Sequence, residues 1–142
     1  MKTTLLICTV AALALSASAA AHVLPGFHSP TGNIKCYYAH ALTARGAKPV
    51  VRCGLVHADY AMRLQHYCEA GDWHGFTLTP DSRPSLFCTA GASGERVAYT
   101  ALAYGKTWRR GPFTCTSRTA GVTCRSRTGH GLFVSRQTYR VW

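Results

Sequence analysis

Phe113-Thr114-Cys115-Thr116-Ser117-Arg118-Thr119-Ala120-Gly121-Val122-Thr123-Cys124-Arg125-Ser126 is the stretch that decides the fold. Phe113–Ser117 and Val122–Ser126 read as two strands around Arg118–Gly121, a hairpin turn with a glycine at its end. Setting Cys115 opposite Cys124 keeps that hairpin in register and suggests a bridge between its strands. Outward from the hairpin the same pattern repeats: a short apolar or β-branched run closed by Gly, Pro, Asn or Ser. It gives further strands at Ile34–Tyr38, Val50–Leu55, Phe76–Thr79, Leu86–Thr89, Val97–Tyr104, Leu132–Ser135 and Tyr139–Trp142. Pro30-Thr31-Gly32-Asn33 and Pro80–Pro84 are turns. One short helix is placed over Asp59–His66, and no long repeat is present. The expected fold is all-β, a small disulfide-stabilised antiparallel sandwich or barrel.

The chain has 142 residues, 47% of them apolar, which is too short for a multi-domain enzyme and too apolar for a disordered tail. Lys2, the apolar run Leu5–Leu15 and the small residues Ala17 to Ala21 have the layout of a cleaved secretory signal, and the run is too short to span a bilayer. Residues 1–21 are therefore read as a signal peptide, cut after Ala19, Ala20 or Ala21, and 22–142 as a single secreted β-rich domain. No transmembrane segment is expected after cleavage. Cys8 leaves with the signal, and six cysteines remain: Cys36, Cys53, Cys68, Cys88, Cys115 and Cys124.

An even count in an exported chain argues for disulfides. Fifteen pairings are possible, and the spacing favours neighbours: Cys36–Cys53, Cys68–Cys88 and Cys115–Cys124. The alternative, structural zinc, usually uses Cys-x-x-Cys pairs, which these six lack. No metal and no other cofactor is expected.

Charge is divided unevenly along the chain. Residues 22–95 hold six Lys+Arg and all five acids, whereas residues 96–142 hold nine Lys+Arg and no acid. Eight of those nine are Arg, suited to bidentate contact with phosphate or carboxylate. Arg125 and Arg127 lie two apart with Arg118 at the adjoining turn, and Arg136 follows. These four are the candidate ligand-binding residues. They suit an anionic polymer (nucleic acid, teichoic acid, lipopolysaccharide or acidic polysaccharide), while a generic basic surface that keeps a secreted protein soluble explains the same charge.

Two constellations could carry chemistry. His66, Cys68, Glu69, Asp72 and His74 include ligand types, but Cys68 is needed to keep the cysteine count even. Gly129-His130-Gly131 lets a backbone or ligand come close, and His130 beside arginines would suit phosphodiester chemistry as acid or base. The same residues also form an ordinary turn. Gly91-Ala92-Ser93-Gly94 stops short of a nucleophile elbow. His130 is thus the one candidate catalytic residue, for a ribonuclease-like secreted hydrolase. A protein-binding, inhibitor-like module is the third reading.

Phe27-His28-Ser29-Pro30-Thr31-Gly32-Asn33-Ile34-Lys35-Cys36, then Arg52-Cys53, then Tyr104-Gly105-Lys106-Thr107-Trp108 form a series of blocks. A last block runs from Cys115 through Gly121, Cys124 and Gly129-His130-Gly131 to Ser135-Arg136 and Tyr139. Together they resemble an uncharacterised family of small secreted bacterial proteins. The resemblance implies an exported domain of unknown function and supplies no catalytic residue. Gly54 stands where the family pattern leads one to expect an acid, so no charged role passes to that position.

Overall fold

The computed structural model describes residues 22–91 and 95–142. The segment read as a signal peptide lies outside the described residues, as do Ala92, Ser93 and Gly94. The described residues form β1 (Leu24–His28), β2 (Ile34–Thr43), β3 (Gly46–Leu55), α1 (Ala61–Gln65), β4 (Asp72–Leu78) and β5 (Ser85–Thr89). After these come β6 (Val97–Ala101), β7 (Thr107–Arg110), β8 (Phe113–Arg118), β9 (Gly121–Ser126), β10 (Gly131–Val134) and β11 (Tyr139–Val141).

The strands form two sheets, a first of six in the order β5-β4-β3-β2-β1-β6 and a second of five in the order β11-β10-β9-β8-β7. The all-β expectation holds, and of sandwich and barrel it is the sandwich that forms. Pairing is antiparallel with one correction: β6 runs parallel to β1, with Leu24 opposite Val97 and His28 opposite Ala101. The chain leaves β5 at one edge of the first sheet and re-enters at the opposite edge. Such a crossover, unlike a tight hairpin, allows parallel pairing.

Alternation of side chains decides what lies between the sheets. Phe27, Cys36, Val51, Cys53, Phe76 and Leu78 face inward from the first sheet. Phe113, Cys115, Val122, Cys124, Leu132 and Val134 meet them from the second, and all twelve are at most 1% exposed. Trp73 and Phe76 are three apart yet both buried, because a bulge between Trp73 and Gly75 resets the alternation of β4. Gly75 sits at φ +156°, where an added Cβ would lie 1.9 Å from the Cys53 carbonyl oxygen.

The cysteines pair as the spacing favours: Cys36–Cys53, Cys68–Cys88 and Cys115–Cys124. Two of the bridges join directly opposed residues, one across β2 and β3 and one across β8 and β9. They meet at the centre of the sandwich, where Cys53 Sγ lies 3.7 Å from Cys124 Sγ. The third ties the segment after α1 to β5. Among the described residues no helix is long and apolar enough to cross a membrane.

Candidate anion-binding groove

The hairpin β8–β9 also organises the outer face of the second sheet. Its outward residues fall into rows set by register. One row holds Arg109, Thr114, Arg125 and Gly131, and the next holds Thr107, Thr116, Thr123, Phe133 and Arg140. The threonines are half-buried and linked in part, with Thr107 Oγ1 3.2 Å from Thr116 Oγ1. The arginines stand exposed above them, and no acid occurs on these strands.

At the β11 side this face runs into a groove of about 670 Å³. Four guanidinium groups border it: Arg125 from β9, Arg140 from β11, Arg63 from α1 and Arg83 from the turn before β5. Tyr139 and Trp142 supply its aromatic surface. Trp142 is placed by two backbone hydrogen bonds with Gly131, each 3.0 Å. Gly131 leaves room for the indole, since a Cβ there would come within 2.5 Å of it. Arg125 lies over the Trp142 ring at 5.2 Å and Arg140 over Phe133 at 5.5 Å, so the rings hold both guanidiniums in place without neutralising them. No carboxylate side chain lines the groove, and none of its four arginines takes part in an ion pair among the described residues.

The four arginines expected from sequence come together only in pairs, Arg125 with Arg127 and Arg118 with Arg136. Arg125 enters the groove. Arg127, one residue beyond β9, shares with Arg125 a depression of about 380 Å³ beside Gly111 and Pro112. Arg118 and Arg136 line a separate cleft of about 330 Å³. There Arg136 Nε donates to Asp59 Oδ1 at 3.2 Å, and the Asp59 amide donates to the Arg136 carbonyl at 2.9 Å, so its charge is met internally. Arg63 and Arg83, which sequence reasoning passed over, belong to the half of the chain whose charge nearly cancels.

His130 sits half-buried in the turn between β9 and β10, with its carbonyl accepting from the Ser126 amide at 2.8 Å. Gly129 provides the turn's positive φ of +98°. The turn is pinned to the β4–β5 connection by the Thr128 hydroxyl, which donates to the Pro80 carbonyl. Asp81 follows Pro80. Its carboxyl is held below the ordinary value by the Lys48 ammonium bonded to it at 2.9 Å, with a lesser contribution from His130. In the His66–His74 segment, Cys68 is committed to Cys88, while His74 points to the outer face of the first sheet beside Phe87.

No curated protein and no solved structure matches this chain. A family model described as a family of unknown function, DUF6636, matches residues 6–142, and the chain belongs to that family.

Proposed function

We propose that the chain is an exported, disulfide-stabilised binding module whose arginine groove takes an anionic polymer, with residues 1–21 as a cleaved signal and 22–142 as the exported domain. The observation that carries the reading is the groove itself: four guanidiniums from α1, β9, β11 and the turn before β5, without an ion-pair partner among the described residues, around one cleft with no carboxylate side chain in its lining. A surface charged only for solubility has no reason to gather them on one cleft beside Tyr139 and Trp142. Guanidinium forks match phosphate, sulfate and carboxylate oxygens, and the half-buried Trp142 ring adds partly accessible surface for contact with bases or sugar rings.

The mature oxidised protein mixed with labelled single-stranded RNA across a salt series, with an acidic polysaccharide as competitor, tests the reading. A shift that weakens with salt and is displaced by the polysaccharide supports it. Binding indifferent to salt, or none, contradicts it. The same gel reads strand cleavage: turnover that disappears in His130→Ala would turn the module into a hydrolase with His130 as its acid or base.

A further inference from the structure

A trough crosses the outer face of the first sheet, on the side away from the core and distinct from the arginine groove. Register lines up Phe87, Gly75, Gly54 and Lys35 on successive strands from β5 to β2. Gly54 puts no side chain on that face, so bare backbone forms part of the floor between the larger residues, with His74 beside it in the lining. Three strand steps at ~4.8 Å make it about 14 Å long. The cavity measures about 720 Å³, within the range of ligand sites.

Its walls carry both apolar and polar groups. Phe87 bounds one end. Tyr99, leaning across the side-chain-free Gly26, bounds the other, with the Lys35 ammonium 5.8 Å from its ring. Between them the Glu95 carboxylate is fixed on two sides. The Tyr37 hydroxyl donates to Oε2 at 2.5 Å, and Arg52 donates to Oε1 at 3.2 Å. Burial pushes the Tyr37 hydroxyl up to about 12, so it remains a donor through the neutral range. Arg52 neutralises Glu95, whereas Lys35 has no carboxylate partner among the described residues. The charge left over in the trough is positive.

We propose that this trough binds a short oligosaccharide bearing carboxylates, with Lys35 contacting a carboxylate, Phe87 and Tyr99 packing against ring faces and Glu95 accepting hydroxyls. An extended peptide is the poorer match. Peptides recognised through their main chain add to a sheet edge, while this trough lies across strands whose backbone groups already pair with each other. Sugars use side chains for their hydroxyls and aromatic rings for their apolar faces, and both kinds are present here. The length fits an oligomer better than a single ring.

Tri-galacturonic acid is the probe and maltotriose its uncharged control, titrated calorimetrically into the oxidised protein. Saturable binding of the acid is expected, weakened about tenfold by Lys35→Gln, the effect of losing one charge-assisted contact. Loss of binding in Tyr99→Ala is also expected. Lys35 and Tyr99 are both exposed, so neither variant removes core packing. Absence of saturable binding overturns the proposal, as does equal affinity for maltotriose. Binding that survives Lys35→Gln but is lost in Arg83→Gln/Arg140→Gln would place the sugar in the groove, overturning the trough while leaving the anionic-polymer reading intact. Failure of the groove to hold RNA, conversely, leaves the trough untouched.

Discussion

Removing Cys36–Cys53 and removing Cys68–Cys88 set two effects against each other. Closing a loop lowers the entropy of the unfolded chain, more for longer loops. The separations are 17 and 20 residues, which gives about 3.1 and 3.3 kcal/mol by the loop-entropy relation, so entropy alone makes the second bridge slightly the more valuable. Burial argues the other way. Cys36 and Cys53 are fully buried against the Cys115–Cys124 bridge, whereas Cys68 and Cys88 are only half-buried. Deleting two core sulfurs forfeits on the order of 2 kcal/mol of packing, judged by the ~0.8 kcal/mol of one buried methylene and the cavity left behind. Packing decides the order: Cys36→Ala/Cys53→Ala costs about 5 kcal/mol and Cys68→Ala/Cys88→Ala about 3 to 4. Urea denaturation of both double variants under non-reducing conditions gives the comparison. If the peripheral pair costs as much as the core pair or more, loop entropy dominates and the central role given to the stacked bridges is wrong.

Gly75→Ala drives a methyl into the Cys53 carbonyl and should lower stability by more than about 2 kcal/mol, read from the urea midpoint, because that backbone cannot shift without disturbing the β3–β4 ladder. Tyr60→Phe removes the hydrogen bond to the Ser135 carbonyl at 3.0 Å and should cost about 1 to 2 kcal/mol in the same assay. Alkaline denaturation tests the buried tyrosines. Tyr37 and Tyr60 both ionise above the ordinary value of 10 in the folded state, chiefly through burial. The stability they contribute is therefore complete below pH 10 and falls as pH rises through the range up to about 12 for Tyr37. A midpoint that does not move above pH 10 would contradict that sign. Gly131→Ala should displace Trp142 and change its fluorescence.

Much of the sandwich is legible in the chain because its signals are local. The Cys115–Cys124 hairpin shows its register through alternation and a closing glycine, and two of the three cysteine pairings follow from hairpins whose opposed residues are close in sequence, while Cys68–Cys88 does not. β1 is hidden by Pro25-Gly26, two residues that disfavour a regular strand, yet a Cβ at Gly26 would fall 2.7 Å from the Cys36 carbonyl oxygen. β7 offers a single apolar residue, Trp108, in Thr107–Arg110, too little for a periodicity. The β2–β3 hairpin extends to Thr43 and Gly46 because backbone pairing continues past the apolar core, where side-chain pattern carries no information.

The site was less legible. A charge excess along the chain does not state which face of which sheet each arginine occupies. Arg136 meets Asp59, 77 residues away, and Arg63 and Arg83 join Arg125 and Arg140 only through tertiary packing. The glycine floor of the trough depends on register between β2, β3, β4 and β5, which no single segment displays.

The most direct test of the arginine groove is the salt dependence of RNA binding in Arg83→Gln/Arg140→Gln against the Arg118→Gln/Arg127→Gln control. Four guanidinium contacts to a single strand correspond to a slope of about −2.8 in log affinity against log salt, a loss of about 50-fold between 50 and 200 mM. The groove variant should fall to a slope of about −1.4, a loss of about sevenfold, while the control keeps the wild-type slope. Equal slopes in the wild type and the groove variant, or a larger drop in the control, would contradict the assignment of anion binding to this groove.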